Sequence, residues 1–202
     1  MNELGYTHSG DSGQTDFGGH GTIPKTDVRV VAYVECDAAN ASIAVTLAGG
    51  TLPPHLAATL VSVQNDLFDL ATDLSIPTNS PTPALARIIP GHTERIERAI
   101  EHFEQEAGDL SGMLLPGGTL AGAHLYQSRS VVRRAEVAVW RAVEEHPDTV
   151  NVECARYMNR LSGLLFVMAR GANAEHGDVM WVPESSVSMP AENPEETDGE
   201  SH

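Results

Sequence analysis

Apolar side chains recur at steps of three and four residues along most of this chain, which is the spacing that places them on one face of an α-helix. The stripe is clearest over residues 53–75, where it consists of Leu56, Leu60, Val63, Leu67 and Leu70. Prolines and glycines separate this segment from its neighbours and stop each helix. The sequence predicts five helices, over residues 28–49, 53–75, 92–110, 120–146 and 151–172. Because no segment is a convincing strand, we expect an all-α fold, a five-helix bundle.

The two ends of the chain lack the helical period. Residues 1–26 are rich in Gly, Ser and Thr and predict a loop-like N-terminal arm. Residues 184–202 are acidic, contain Pro and Ser and lack core-forming residues, which predicts a disordered tail. A chain of 202 residues is long enough for one sizeable core. We therefore expect an arm over 1–26, one helical domain over 27–183 and a tail over 184–202.

The charge balance restricts the class of partner. The chain has 12 Lys+Arg against 28 Asp+Glu, a formal net charge of −16. Such a surface repels a phosphate backbone on average, so neither nucleic acid nor an anionic membrane is expected as a partner. A local basic pocket for a small polyanion remains compatible with the net charge.

The cysteines and the N-terminus indicate the compartment. Cys36 and Cys154 are far apart and have no CxxC or Cys/His spacing, so neither a disulfide nor a zinc site is expected. The first residues lack the basic and apolar regions of a signal peptide. No uninterrupted apolar run approaches the length that spans a bilayer. These features predict a cytoplasmic protein without a membrane partner.

The few cations of this acidic chain are concentrated in one predicted helix. The stretch "RSVVRRAE" contains Arg129, Arg133 and Arg134, and Lys25 is the only lysine. Arg129 and Arg133 share a helix face with Glu136, beside small and apolar neighbours. One interpretation is structural: Arg133 pairs with Glu136, and Arg129 pairs with a carboxylate on another helix. In that interpretation Arg134 faces water. The other is that these guanidinium groups bind several phosphate oxygens at once, which favours a polyphosphate ligand.

The glycine-rich arm supports the polyphosphate interpretation. The stretch "SGDSGQT", residues 9–15, can present backbone N–H groups and hydroxyls to an anion. It is not a P-loop, because GKS or GKT is missing and no strand precedes it. Taken alone, the arm is equally well interpreted as a connector.

Taken together, these stretches resemble the PduO-type ATP:cob(I)alamin adenosyltransferases. The resemblance covers residues 5–183 and rests on motifs that occur in the family's order. They are "YTHSGDSGQT", "IPKTDVRVVAY" followed by "CDAAN", "QNDLFDLATDLS", "LLPGG", "SRSVVRRAE", "YMNRLSGLLFVMAR" and "GDVMWVP". A run of ordered motifs is far more specific than any one of them.

The resemblance implies a five-helix bundle that forms a homotrimer, with active sites between adjacent subunits. It implies that Lys25 holds the phosphates of ATP and that the arm wraps the nucleotide through Thr7, His8, Ser9, Gly10, Asp11, Gly13 and Thr15. Arg133 would contact the triphosphate, and Glu136 and Asn159 would complete the nucleotide site. Asp37 and Arg129 would form a salt bridge across the subunit interface. Arg133, Asp37 and Arg129 are thus the implied catalytic residues.

The implied reaction transfers the 5'-deoxyadenosyl group of ATP to the cobalt of cob(I)alamin, giving adenosylcobalamin and triphosphate. Cobalt(I) is the nucleophile, so the protein supplies position and electrostatics. ATP, Mg²⁺ and cobalamin are the implied ligands, with Met113 in the cobalamin pocket and no protein ligand assigned to a metal. A reductase and an adenosylcobalamin-dependent enzyme that receives the product are the implied protein partners.

Several residues differ from those usual in the family (in parentheses): His8 (Lys), Thr22 (Arg), Ala38 (Glu), Met113 (Phe), Val137 (Arg) and Gly163 (Asp). Losing three cations weakens the positive charge around the phosphates. Two hypotheses follow, a working adenosyltransferase and a weak or inactive paralogue that binds nucleotide or corrinoid as a carrier or sensor. A purely structural helical protein is a more remote third. By composition alone, Met113 is equally well interpreted as a core residue.

Overall fold

The computed structural model describes residues 8–49, 51–110 and 112–188. Five main helices make up most of this part, and they are α1 (Val28–Gly49), α2 (Pro54–Ser75), α3 (Pro90–Ala107), α4 (Leu120–Glu145) and α5 (Val152–Ala172). A sixth, α6 (Ser185–Ser188), is very short. The predicted helical fold with five main helices is confirmed. The largest difference in extent is in α3, which covers residues 90–107 rather than 92–110.

Local sequence explains where the helices begin. Thr119 caps α4, because its hydroxyl accepts the Gly122 N–H at 3.0 Å. Asn151 caps α5 by accepting the Glu153 N–H at 3.1 Å. Pro54 begins α2, in the first turn, where its missing N–H leaves no bond unmade.

The helices pack in the order α2–α1–α4–α5–α3, so α4 lies between α1 and α5. The core between them is apolar, and Leu60, Val132 and Leu161 are fully buried. Ala39 of α1 and Ala135 of α4 are fully buried as well. Small side chains on both helices of this pair allow their backbones to approach closely, which fixes the outward faces of α1 and α4 relative to each other.

A buried carboxylate holds the proline-rich connection between α2 and α3. Asp73 is 2% exposed and accepts hydrogen bonds from Arg87 (2.5 Å), from the Ile88 N–H (2.8 Å) and from Asn151 (2.7 Å). A buried charge is tolerated when it is paired and fully hydrogen-bonded. These bonds therefore fix the connection against the beginning of α5.

The structure differs from the prediction within the arm. Gln14–Asp16 (β1) and Thr22–Pro24 (β2) form an antiparallel hairpin, although the sequence predicts no strand. A short 3₁₀ helix, Gly18–His20, joins the two strands. Strands of three residues are too short to show the alternation of apolar and polar residues by which strands are recognised.

The tail is only partly described. Ser185–Ser188 form α6, within the segment that the sequence predicts to be disordered. The remaining residues of the predicted tail, 189–202, lie outside the described residues.

In the described part of the chain, one helix has the length and composition of a membrane span. It is α1, whose most apolar stretch of 18 residues has a mean hydropathy of 1.3, and 39% of that stretch is buried inside the fold. Glu35 and Asp37 lie within this helix, so its sequence contains no uninterrupted apolar run. Because core helices of folded proteins pass the same test, length and hydropathy do not by themselves assign α1 to a membrane.

Cys36 and Cys154 are free thiols, and both are buried. Burial raises the pKa of Cys36 to about 12 and holds the pKa of Cys154 well above its usual value. A thiolate is poorly stabilised away from water, so neither cysteine is a nucleophile at neutral pH.

Asn173 ties the end of α5 to the beginning of α4. It is 3% exposed, donates to the Gly117 carbonyl at 2.9 Å and accepts the Thr119 N–H at 2.9 Å. A Cβ atom on Gly122 would lie 2.2 Å from the Asn173 Oδ1. Position 122 therefore has no room for a side chain.

We expect Gly122→Ala to lower the free energy of unfolding by about 1–3 kcal/mol, because the methyl group displaces Asn173 from its buried hydrogen bonds. The matched control is Gly171→Ala in α5, where a Cβ atom meets nothing within 4 Å. Alanine there should leave stability unchanged or raise it by up to about 1 kcal/mol. Urea unfolding at equilibrium measures both variants, and a Gly122→Ala protein as stable as the wild type would contradict the packing described.

Candidate active site

The hairpin and the turn before it bring several of the predicted arm residues together. Gly13 donates its N–H to the Gly10 carbonyl at 3.2 Å, and Lys25 donates its N–H to the Gly13 carbonyl at 2.8 Å. Gly13 has φ 78°, a conformation that glycine adopts readily. A Cβ atom on Gly10 would lie 2.6 Å from the Lys25 Nζ. The only lysine of the chain is therefore seated against the backbone of the glycine-rich turn.

A cavity of about 370 Å³ opens between this turn and the hairpin, and its lining is Ser9, Gly10, Gln14, Thr15, Asp16, Thr22 and Lys25. Four of these residues belong to the predicted ATP-binding set. An ammonium group, hydroxyls and backbone N–H groups around one cavity suit an anion with several oxygens. Of the other predicted arm residues, His8 and Asp11 contact each other, with 3.2 Å between Nδ1 and Oδ2. Thr7 lies outside the described residues.

The arm cavity adjoins a larger cavity of about 560 Å³ between the arm, α1 and α2. Thr15, Asp16 and Lys25 line both cavities. The far wall of the larger one is apolar and includes Tyr33, Val34 and Phe68, of which Phe68 is 67% exposed. No sequence motif singles out these three residues. The available signal was that Phe68 lies off the buried stripe of α2, where a large apolar side chain is unexpected.

The three arginines of α4 have different surroundings. Arg134 forms an ion pair with Glu35 of α1, with 2.7 Å between Nε and the carboxylate. Arg129 is half-buried, and its guanidinium carbon lies 5.3 Å from the centre of the Phe166 ring. Arg133 is exposed. Among the described residues, neither Arg129 nor Arg133 pairs with a carboxylate, so the ion pairs of the structural interpretation are not formed in that part of the chain.

The charge on Arg129 and Arg133 is therefore uncompensated in the described part of one chain. The Nε of Arg129 is buried and has no hydrogen-bond acceptor there. Burial and, secondly, repulsion from Arg133 lower the pKa of Arg129, because both disfavour the charged form. An anion bound to both guanidinium groups would relieve the repulsion and satisfy the missing hydrogen bonds.

Glu136 and Asn159 lie level with each other on neighbouring helices. The helices α4 and α5 are antiparallel, and the contact between Arg129 and Phe166 fixes their register. Glu136 lies about two helical turns (seven residues) after Arg129 on α4. Asn159 lies the same distance before Phe166 on α5, so the two residues are displaced from that contact in the same spatial direction. Glu136 is half-buried and Asn159 is exposed. With Arg133 one turn from Arg129, the predicted nucleotide residues of α4 and α5 occupy one stretch of this surface.

Asp37 lies on the outward face of α1. Its side chain is exposed, and the neighbouring positions of that face, Val34, Ala41 and Val45, are exposed as well. The predicted salt bridge to Arg129 is not formed within the described part of one chain, where Asp37 pairs with no cation. The salt bridge between two subunits stays a prediction.

Met113 lies on the surface and not in the core. Its side chain is 69% exposed, so the interpretation as a core methionine is wrong. The backbone N–H of Trp181 donates to the Met113 carbonyl at 2.8 Å, and the backbone N–H of Leu115 donates to the Val179 carbonyl at 2.9 Å. These bonds place the motif "GDVMWVP" alongside Met113. Leu115, Trp181 and Val182 are exposed too, and an exposed apolar patch of this kind is typical of a binding surface.

Some of the positions that differ from the family's usual residues lie in the arm cavity, and others lie on α1, α4 and α5. Thr22 lines the arm cavity, so Lys25 is the only cation among its lining residues. Val137 is 69% exposed on α4, and Ala38 is half-buried on α1. Gly163 lies in α5, where a Cβ atom would be 3.4 Å from Ile100. The lost cation at position 22 therefore bears directly on the arm cavity.

One cluster of the described residues has ligand atoms close enough to hold a metal ion, namely Asp66, Asp69 and His92. Asp66, however, already accepts the Tyr157 hydroxyl at 2.7 Å and pairs with Arg95. Burial and, secondly, Asp66 hold the pKa of Tyr157 well above its usual value, so its hydroxyl remains a donor. This cluster is a polar network that joins α2, α3 and α5.

The family model described as cobalamin adenosyltransferase matches residues 5–172. This chain belongs to the cobalamin adenosyltransferase family. The corrinoid adenosyltransferase of Mycobacterium tuberculosis (strain ATCC 25618 / H37Rv) is 42% identical over 179 residues, which are 88% of this chain and 92% of that protein. The corrinoid adenosyltransferase of Bacillus subtilis (strain 168) is 35% identical over 178 residues, 85% of this chain and 88% of that protein.

Solved structures of this family have the same fold. A variant of the PduO-type ATP:corrinoid adenosyltransferase from Lactobacillus reuteri, complexed with cobalamin and ATP, matches with a TM-score of 0.80 at 30% identity, covering 87% of this chain and 98% of that chain. A further variant of that enzyme, complexed with ATP, gives a TM-score of 0.79 at 30% identity, covering 88% and 99%. The resemblance that the motifs indicate is confirmed.

Proposed function

We propose that this cobalamin adenosyltransferase family member transfers the 5'-deoxyadenosyl group of ATP to the cobalt of cob(I)alamin, giving adenosylcobalamin and triphosphate. The observation that carries the proposal is that Arg129 and Arg133 have no carboxylate partner in the described part of a chain whose net charge is −16. A half-buried cation beside a second cation is unfavourable unless anions pair with both. The triphosphate of ATP would be the anion that pairs with Arg133, and the relatives described above are adenosyltransferases.

The arm supplies the second part of the nucleotide site. Lys25, together with Ser9 and Thr15, would hold phosphate oxygens in the arm cavity. Among the described residues, the lining of both cavities comes from the arm, α1 and α2, whereas the unpaired arginines lie on α4. One complete site would therefore combine the arm of one subunit with the α4–α5 surface of the next. A closed ring of such contacts supports the homotrimer that the family resemblance implies.

Asp37 fits the same assembly. A carboxylate on an otherwise apolar face is costly to bury in an interface unless it meets a cation. Arg129 of the neighbouring subunit would provide that cation, and its buried Nε would gain an acceptor. The salt bridge would leave Arg133 free to contact the triphosphate.

The reaction needs a nucleophile that the substrate itself supplies. Cobalt(I) donates an electron pair to the 5'-carbon of ATP, the bond between that carbon and its phosphate oxygen breaks, and the electron pair of that bond leaves with the triphosphate. Because no proton transfer is required, the protein contributes position and charge stabilisation. Arg133 and Lys25 would meet the charge that develops on the triphosphate, while Glu136 and Asn159 would complete the nucleotide site.

Mg²⁺ would enter with the triphosphate. This ion prefers oxygen ligands and usually binds through one or two carboxylates together with phosphates of the substrate. The Asp16 carboxylate and the Thr15 hydroxyl line the arm cavity beside Lys25, so suitable oxygen donors are present. Mg²⁺ would offset part of the phosphate charge that His8 and Thr22, unlike the family's usual cations, leave uncompensated.

The exposed apolar patch of Met113, Leu115, Trp181 and Val182 would bind the corrin. An apolar wall would exclude water from the lower face of the cobalt. Cobalt that has lost its lower axial ligand on that face is more easily reduced to cobalt(I). Met113 stands where the family usually has Phe. Its side chain is apolar and adaptable, and its thioether is also a potential cobalt ligand.

The hypothesis of a weak or inactive paralogue, a carrier or sensor, is the second candidate. It is favoured by the single cation that lines the arm cavity. The active enzyme comes first because Lys25, Arg133, Glu136 and Asn159 are all retained. A cytoplasmic location, a reductase that supplies cob(I)alamin and an enzyme that receives adenosylcobalamin belong to this proposal.

The protein is incubated with cob(II)alamin, ATP, Mg²⁺ and a strong reductant. Adenosylcobalamin should form, and its formation is measured from the change in corrin absorbance. Arg133→Ala should lower turnover by about a hundredfold or more, because a charge contact to the leaving group is lost, without changing the oligomer size. The matched control is Arg141→Ala on the same helix, since this exposed arginine pairs with Glu145. Its turnover should equal that of the wild type.

Full activity of Arg133→Ala would contradict the role of this arginine. Binding of ATP or cobalamin by the wild type without conversion would support the paralogue. Absence of binding to either ligand would support the purely structural protein.

Met113→Phe should raise turnover, because an aromatic ring fills the apolar surface below the corrin more completely than a thioether. Met113→Leu is the control, since it removes the sulfur and keeps a similar volume. We expect turnover near that of the wild type for Leu and above it for Phe, measured at saturating ATP. Lower turnover in both variants would show instead that the sulfur is required.

A further inference from the structure

The turn that joins β1 and β2 lies directly against the end of α2. A Cβ atom on Gly18 would lie 2.5 Å from the Ser75 carbonyl oxygen, and one on Gly19 would lie 2.7 Å from the Pro77 Cδ. Gly18 also has φ 52°, in the left-handed region that favours glycine. Any side chain at either position would separate the turn from α2. The two glycines therefore permit a close contact between arm and bundle.

His20 adds directed hydrogen bonds to this contact. Its Nε2 lies 3.2 Å from the Leu74 carbonyl oxygen, and the Arg29 Nη1 lies 2.9 Å from its Nδ1. A guanidinium group only donates, so Nδ1 is the acceptor and Nε2 carries the proton that is donated to Leu74. Leu74 lies in the last turn of α2, where carbonyl groups lack a partner within the helix. Neutral His20 thus links the arm to both α1 and α2.

The groups around His20 hold it in this position. Arg29 donates to the Asp27 carboxylate through Nε at 2.9 Å and Nη2 at 2.8 Å. These bonds hold the pKa of Asp27 at about 2, so the ion pair stays charged in mild acid. Phe17 is buried, stacks on the His20 ring at 5.7 Å and meets the Tyr33 ring edge-on at 5.6 Å.

We propose that His20 is a positioning residue for the ATP-binding arm. Neutral His20 holds the arm against α1 and α2, a contact that we call the latch, and protonation of His20 releases the arm. The charged and titratable groups that face it are Arg29 and Asp27 at the beginning of α1 and His146 at the end of α4, with the Leu74 carbonyl from α2. A proton on Nδ1 would point at the Arg29 guanidinium, so the hydrogen bond would be replaced by contact between two cations. The latch follows from geometry alone, while its consequence for ATP rests on the proposed function.

The direction of the pH effect follows from the surroundings of His20. Burial, the largest cause, and Arg29 lower the pKa of His20 from 6.5, against the opposite effects of Leu74 and Asp27. A histidine with a lower pKa when docked than when released stabilises docking above pH 6.5. That contribution is lost as the pH falls below this value. One proton changes the docking equilibrium by at most about tenfold per pH unit.

The single lysine allows a direct test on the full chain without ATP. A lysine-specific protease can cut only after Lys25, whose N–H is bonded to the Gly13 carbonyl. We expect cleavage to be slow while the arm is docked and faster once it is released, because a protease cuts locally opened chain more readily. Cleavage rates between pH 7.5 and 5.5 are compared with those of the urea-unfolded chain at the same pH. For the wild type we expect a rise of about three- to tenfold below pH 6.5.

Three variants separate the latch from other effects of acid. His20→Gln keeps an uncharged donor and acceptor, so its cleavage should be independent of pH. Gly19→Ala displaces the turn with His20 intact, so it should be cleaved rapidly at every pH. His176→Gln changes an exposed histidine and should respond as the wild type does. The latch would be overturned by an unchanged wild-type rate over this pH range, or by an equal acid response in His20→Gln.

ATP binding in the same series distinguishes failure of the latch from failure of the proposed function. Below pH 6.5, wild-type ATP affinity should fall in parallel with the rise in cleavage, and that of His20→Gln should fall less. If cleavage responds to pH as expected but the protein does not bind ATP, the latch is supported and the proposed function is overturned. Equal loss of ATP affinity in both proteins would overturn the role of His20 in positioning the arm.

Discussion

Two guanidinium groups on α4, those of Arg129 and Arg133, have no carboxylate partner in the part of the chain that the structure describes. Because α4 is packed between α1 and α5, its outward face cannot move to find one. Compensation has to come from outside the described residues, and a ligand or a second subunit would supply it. In the proposed function this requirement connects assembly with catalysis, since Asp37 of a neighbouring subunit would meet Arg129 and the triphosphate would meet Arg133.

Most of the helical fold could be predicted because its determinants are local. The apolar stripe of α2 is buried as its spacing indicates, and Thr119 caps α4 as its side chain predicts. The hairpin of the arm could not be predicted in this way. Its turn is fixed by the contact of Gly18 and Gly19 with the end of α2, more than fifty residues further along the chain, and no local pattern contains such a contact.

The candidate site was predictable to a similar extent. Motif order and the arginine stretch led to Lys25 and its neighbours, which the structure does bring together around one cavity. The pairing of Arg134 with Glu35 depends on how α1 packs against α4. The exposure of Met113 depends on the pairing of its segment with residues 179–181. Both depend on tertiary packing, which composition and periodicity do not specify.

Mixing two variants that are each expected to be inactive tests the shared site most directly. Lys25→Ala removes the cation of the arm and leaves α4 intact, and Arg133→Ala does the reverse. If each site combines the arm of one subunit with α4 of the next, random reassociation of equal amounts restores about one quarter of the sites. About one quarter of the wild-type adenosylcobalamin formation should then return. No activity in oligomers shown by mass analysis to contain both chains would contradict a site shared between subunits.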